Sequence, residues 1–152
     1  MKLTNFTKSI LAVFIVLFSL SVSAQNTGTK PMNKQMVSDL SKTPNMALGL
    51  QKERHVKGAF KLFDRMIASD MELKHFEIVI WGDAVKEFSK ASELSRIIEK
   101  NQHPKLRVSV CRQAMKRWNV TKEDLPEGVI SVENAFSRLL QIQANGYNVV
   151  IP

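Results

Sequence analysis

The sequence predicts a three-layer α/β/α domain on a mostly parallel sheet of about five strands. Two observations carry that expectation. From residue 46 to the end, short apolar runs alternate with stretches whose apolar residues recur at helical spacing. The runs are continuous rather than alternating, as strands buried on both faces must be. Strand and helix in strict alternation require right-handed crossovers, which lay helices on both faces of the sheet.

The chain of 152 residues opens on Met1 and Lys2, with Lys8 just before an apolar run at 10–20, ILAVFIVLFSL. Val22, Ser23 and Ala24 follow. A positive start, an apolar middle and a small-residue end predict a secretory signal peptide over 1–24, cut before Gln25. The run is about eleven residues, and a membrane-spanning helix needs roughly 20. No Cys stands at the cut, which argues against a lipoprotein. The expected product is exported, periplasmic or secreted, and keeps no transmembrane anchor. Its 128 residues suit one domain. Losing Lys2 and Lys8 leaves 20 basic and 14 acidic residues, net +6. The charges are interspersed, with no run of five of one sign. They predict a solvated basic surface and no nucleic-acid binding.

Residues 25–45 read as a polar leader, partly disordered, in which the segment 36–45 holds one short helix that stops before Pro44. Residues 46–50 (MALGL) form the first strand, with Gly49 an unusual strand residue. Val56, Ala59, Phe60, Phe63 and Ile67 share one face of the first long helix. Residues 76–81 (FEIVIW) are a strand of β-branched and aromatic residues, ended by Gly82 and Asp83. Val85, Phe88, Ala91, Leu94 and Ile98 then predict one helix, closed before Pro104. Residues 106–110 (LRVSV) are the next strand, with Cys111 at its end. Ala114, Met115 and Trp118 continue from Cys111 at helical spacing. After a loop over 121–128, residues 128–132 (GVISV) are a strand, and Ser131 is a candidate cap for the next helix. Val132, Ala135, Phe136, Leu139, Leu140 and Gln143 predict a helical face that ends at Asn145 and Gly146. Residues 147–151 (YNVVI) are the last strand.

In open parallel sheets, sites form beyond the carboxyl ends of the strands, where strand order reverses. Those ends are 51–55, 81–83, 111–113 and 133–134. If the first and third strands flank the reversal, Lys52, Glu53, Arg54 and His55 come beside Cys111. Cys111 is the one Cys in the chain and the one nucleophile with a mechanistic setting. Between a strand and a first helical turn, free N–H groups favour a thiolate, and Arg112 adds positive charge. The same spacing fits a small buried core residue, and a covalent dimer through Cys111 is a third reading. Asp83 is either a site acid or a cap. His55, His75 and His103 have no metal-ligand spacing, so neither metal nor cofactor is expected. The chain also lacks the Gly-rich nucleotide loops and the nucleophile-elbow motif of hydrolases.

From residue 76 onward the chain resembles the DsrE-like (DsrE/DsrF-like) sulfur-relay family. Gly82-Asp83-Ala84-Val85 after a buried strand, Val108-Ser109-Val110-Cys111, Leu125-Pro126-Glu127-Gly128-Val129, Gln143-Ala144-Asn145-Gly146-Tyr147 and the closing Pro152 match it in order. The resemblance implies a flavodoxin-like domain over 46–152 and a persulfide carried on Cys111. It also implies trimers or hexamers and a thiol-bearing protein as sulfur donor or acceptor. Gly82, Asp83, Arg112, Arg54 and His55 are then the supporting residues. One departure stands out: Trp118-Asn119 replaces the family's usual Arg-Gly. Two functions remain in competition. One is a sulfur carrier or sulfurtransferase-type relay. The other is a non-catalytic oligomeric binding or assembly module with Cys111 buried.

Overall fold

The computed structural model describes residues 29–88 and 91–152. The signal peptide expected over 1–24 and the first residues of the leader lie outside the described residues. The leader's later part holds a helix, α1 (Lys34–Ser41), started by Asn33, whose side chain accepts the Met36 N–H. This segment is tied to the body. The Met32 N–H donates to Ser69 Oγ at 2.8 Å, Arg65 Nε donates to the Lys30 carbonyl at 3.0 Å, and Met32 itself is buried.

The sheet comprises β1 (Asn45–Leu50), β2 (His75–Ile80), β3 (Leu106–Cys111), β4 (Val129–Val132) and β5 (Asn148–Val150). All pairs are parallel, in the order β4-β3-β2-β1-β5. The helices are α2 (Glu53–Ala68), a 3-10 helix (Gly82–Glu87), α3 (Glu93–Lys100), α4 (Arg112–Arg117) and α5 (Ala135–Ala144). This is the expected flavodoxin-like three-layer α/β/α fold. In the usual flavodoxin order the second strand flanks the first on its short side; here the last strand takes that place.

Strand alternation divides the sheet into two faces. Phe76, Ile78 and Ile80 point to α2, whose Phe63 ring meets that of Phe76 at 5.6 Å. Ala47, Gly49, Glu77, Val79 and Ser109 point to α5. Gly49 explains itself on this face. A methyl group there would lie 2.8 Å from the Trp81 ring and 2.9 Å from Leu139 of α5, so the helix and the indole approach β1 because nothing projects from it.

Three local expectations are corrected. The single helix expected from Val85 to Ile98 is broken. Tight 3-10 turns end at Phe88, which is extended but buried, and Ser92 starts α3 afresh by accepting the Ser95 N–H at 2.9 Å. The cap of α5 is Asn134, not Ser131. Its side-chain oxygen accepts from Phe136 and Ser137 N–H, while Ser131 stays in β4, which runs on to pair Val132 with Cys111. Finally, α5 buries Ala135, Leu139 and Ile142, whereas Phe136 and Leu140 face outward at 58% and 68% exposure. The helix has apolar residues on two adjacent faces, and spacing alone does not choose between them.

Candidate functional site

The position of the reversal is set by where each crossover runs. The connections leaving β1, β2 and β3 share one face: α2 packs on α3, with Lys57 bridging Glu53 and Glu93, and α4 packs on the 3-10 helix. The connection leaving β4 is α5, on the opposite face. Adjacent strands whose outgoing connections part to opposite faces leave a crevice between their carboxyl ends. Here those strands are β3 and β4, and the residues at their ends are Cys111 and Val132, which are in register.

Cys111 ends β3 and stands immediately before α4 in extended backbone, so the first free N–H groups of that short helix come directly after it. By alternation it shares the α5 face with Ser109. It is buried, at 5% exposure. Arg112 is exposed on the first turn of α4. Arg54 and His55 lie elsewhere. They come after β1, and β2 stands between β1 and β3, so two strand spacings, about 10 Å, separate that loop from Cys111. There the Arg54 Nε donates to His55 Nε2 at 3.2 Å. The arrangement with the first and third strands side by side is not the one found, because β5 rather than β2 occupies the short side of β1.

Gly82 and Asp83 do neighbour the Cys111 strand end. Gly82 has φ of +64°, and its carbonyl accepts the Trp118 indole N–H at 2.8 Å, which fastens α4 to the 3-10 helix. The Arg117 guanidinium and the Lys86 ammonium lie 5.4 and 6.0 Å from the same ring. Asp83 does not cap the 3-10 helix, whose start has no side-chain cap; it pairs with Lys52 Nζ at 2.6 Å. The Lys52 hydrogen bond, and the Coulombic pull of Lys52, Lys86 and Arg117, hold its carboxyl below the ordinary aspartate value. Asn119 adopts φ of +52°, so Asn serves where the family usually has Gly and the turn after α4 is kept. Trp118 thus replaces an arginine's charge with an indole that locks two elements together.

The histidines are dispersed. His75 stacks on Tyr147, and His103 meets the Phe63 ring edge-on. Among the described residues, no group of three His, Cys, Asp or Glu side chains is placed to hold a metal ion, and no helix is long and apolar enough to cross a membrane.

Sequence reasoning missed one buried network. Glu77, third residue of β2, is fully enclosed. Arg138 of α5 grips it with two bonds, Nε to Oε1 at 2.8 Å and Nη2 to Oε2 at 2.7 Å, and the Ser109 hydroxyl donates to Oε1. The available signal was the carboxylate itself, inside a strand otherwise buried on both faces.

Comparison with known proteins agrees with this architecture. Residues 55–152 match the model of the DsrE/DsrF-like family. The structure of a protein of unknown function from Methanobacterium thermoautotrophicum is similar in fold, with a TM-score of 0.60 at 20% identity, covering 70% of this chain and 96% of that one. Among curated proteins, no match is found.

Proposed function

Because this chain belongs to the DsrE/DsrF-like family, we propose that it is an exported sulfur-handling protein whose Cys111 accepts a sulfane sulfur and passes it to a partner thiol. The observation that carries the reading is the position of Cys111 at the crevice between β3 and β4. In the loading step the Cys111 thiolate attacks the outer sulfur of a donor persulfide. The new S–S bond forms as the donor's breaks, the donor leaves as a thiolate, and there is no net oxidation. Unloading is the same exchange in reverse, onto the acceptor. Arg112, the residue after Cys111, is exposed on the first turn of α4 and is the nearest cation in sequence to the reacting sulfur. Cys111 is only 5% exposed, so a donor reaches it only through a local opening of the protein.

Intact mass of the mature protein, taken after a small-molecule persulfide donor and then after an alkylating reagent, tests this. A reductant-labile gain of one sulfur at Cys111 in the native protein is expected, and Cys111→Ala abolishes it. The same spectrum from cell-derived protein tests export, since the chain should begin at Gln25. The family resemblance extends the proposal to a trimer or hexamer, which sedimentation velocity measures directly.

A second reading is favoured by the 5% exposure of Cys111: an assembly module on the same fold, with the thiol as packing. If Cys111 takes neither sulfur nor alkyl group until the protein is denatured, that reading stands and the carrier reading falls.

A further inference from the structure

The end of the sheet remote from Cys111 carries a second feature. A cleft of about 390 Å³ opens on the α5 face at the amino ends of β2 and β3, bordered by His75, Glu77, Lys105, Arg107, Ile130 and Tyr147. It exists because α5 crosses β1, β2 and β5 and leaves the β3–β4 side of that face without a helix. Arg107, in register with Glu77, and Ile130 are therefore exposed. Arg107 and Cys111 are four steps apart along β3, about 13 Å at strand rise, so the two features are distinct.

The charges of the cleft are uneven. Glu77 is committed to Arg138 and Ser109, so its carboxylate presents little free charge. Among the described residues, no ion pair or hydrogen bond engages the side chains of Lys105 and Arg107. One wall is the His75–Tyr147 ring pair, centroids 6.4 Å apart and 20° from parallel. Ile130 supplies an aliphatic border. Asn45, the partner of His75 across β1 and β2, has its carboxamide oxygen buried without a hydrogen bond.

We propose that this cleft binds a small planar organic carboxylate. Lys105 and Arg107 hold its charge, and the His75–Tyr147 wall and Ile130 take its flat apolar body. The cleft falls within the range of small-molecule sites, about 300–1,000 Å³, far more than an inorganic ion fills. The guanidinium fork of Arg107 suits a carboxylate held by two bonds. The neutralised Glu77 removes the repulsion that a free acid would exert.

Titration of the mature protein with 2-naphthoate, 2-naphthamide and inorganic phosphate, followed by backbone amide NMR, tests the assignment. Naphthoate is expected to shift residues 75–77, 105–107 and 147 saturably, with the amide and phosphate each at least tenfold weaker. Lys105 and Arg107 are exposed, so Lys105→Gln with Arg107→Gln should leave Tm unchanged and weaken naphthoate at least tenfold. Cys111→Ala should leave its affinity as it was, so the outcome is independent of the sulfur chemistry. Phosphate binding as tight as naphthoate, shifts clustered at the Cys111 end, or affinity unchanged in the Lys105/Arg107 double variant would each overturn the proposal.

Discussion

Glu77 and Arg138 stand 61 residues apart in the chain, and their side chains keep only 2% and 18% exposure. Each makes the other tolerable. The two guanidinium bonds and the Ser109 hydroxyl replace the water that the carboxylate loses, and bonding to Glu77 raises the pKa of Arg138 above its ordinary value. Removing one partner leaves a buried charge. Arg138→Met is therefore expected to lose about 3–5 kcal/mol of unfolding free energy in urea, and adding Glu77→Gln should restore much of it. If the double variant is no better than Arg138→Met, the loss comes from packing rather than charge. Asp64 carries a smaller strain of the same kind. Partial burial lifts its carboxyl above the 3.8 of a free aspartate, against the attraction of Lys100. An acid raised in this way binds its proton more tightly in the folded state. Its charged form opposes folding at neutral pH, and that opposition fades as pH falls through the raised value and is gone below 3.8. Asp64→Asn should thus raise Tm at about pH 7 and give no gain near pH 3. A gain of the same size at both values would mean that desolvation is not the cause.

At the scale of elements, the two glycines that punctuate β1 and α5 act by different physics. Gly49 is needed for space, since a Cβ would enter the Trp81 ring and Leu139. Gly49→Ala should cost about 1–3 kcal/mol through overpacking, and trimming Leu139 to Ala in the same chain should relieve part of it without touching the Trp81 contact. Gly146 is needed for its backbone. It has φ of +81° with nothing near its missing Cβ, and it closes α5 through Gly146 N–H to the Gln143 carbonyl and Tyr147 N–H to the Ile142 carbonyl. Gly146→Ala should cost about 1–2 kcal/mol by conformation alone, seen as faster amide exchange at the end of α5. These cases mark the reach of local sequence pattern. The stop at Asn145–Gly146 could be read because the motif is local. So could all five strands, whose runs are short, apolar and bounded by Gly, Pro or Asn. The break between Phe88 and Ser92 could not, because Val85, Phe88, Leu94 and Ile98 are spaced as one helix would space them. The choice between Phe136 and Ile142 for the buried side of α5 is made by the sheet it lands on, which no local pattern contains.

At the scale of the whole molecule, the layers were legible and the strand order was not. Alternating strand and helix dictates crossovers, but whether the last strand returns beside β1 is decided by long-range pairing, here Met46 with Asn148 through Leu48 with Val150. That return moves the reversal to β3 and β4, which leaves Cys111 at the crevice and Arg54 and His55 two strands away. It also makes β1 a central strand, paired with β2 on one side and β5 on the other. The match to the family model begins at residue 55, after β1 has ended. A chain that started there would leave β5 without a neighbour and turn β2, with its buried Phe76, Ile78 and Ile80, into an open edge. It should show no cooperative thermal transition. A chain starting at Asn45 keeps all five strands and loses α1, the anchors at Lys30 and Met32, and the Pro44 carbonyl that accepts the Lys74 and His75 N–H groups. It should unfold cooperatively, with a Tm lower by several degrees, as loss of the Arg65 and Ser69 bonds and exposure of core now covered by Met32 imply. If the chain from residue 55 melts cooperatively as well, the sheet does not depend on β1, and the account of its order given by the strand pairings is wrong.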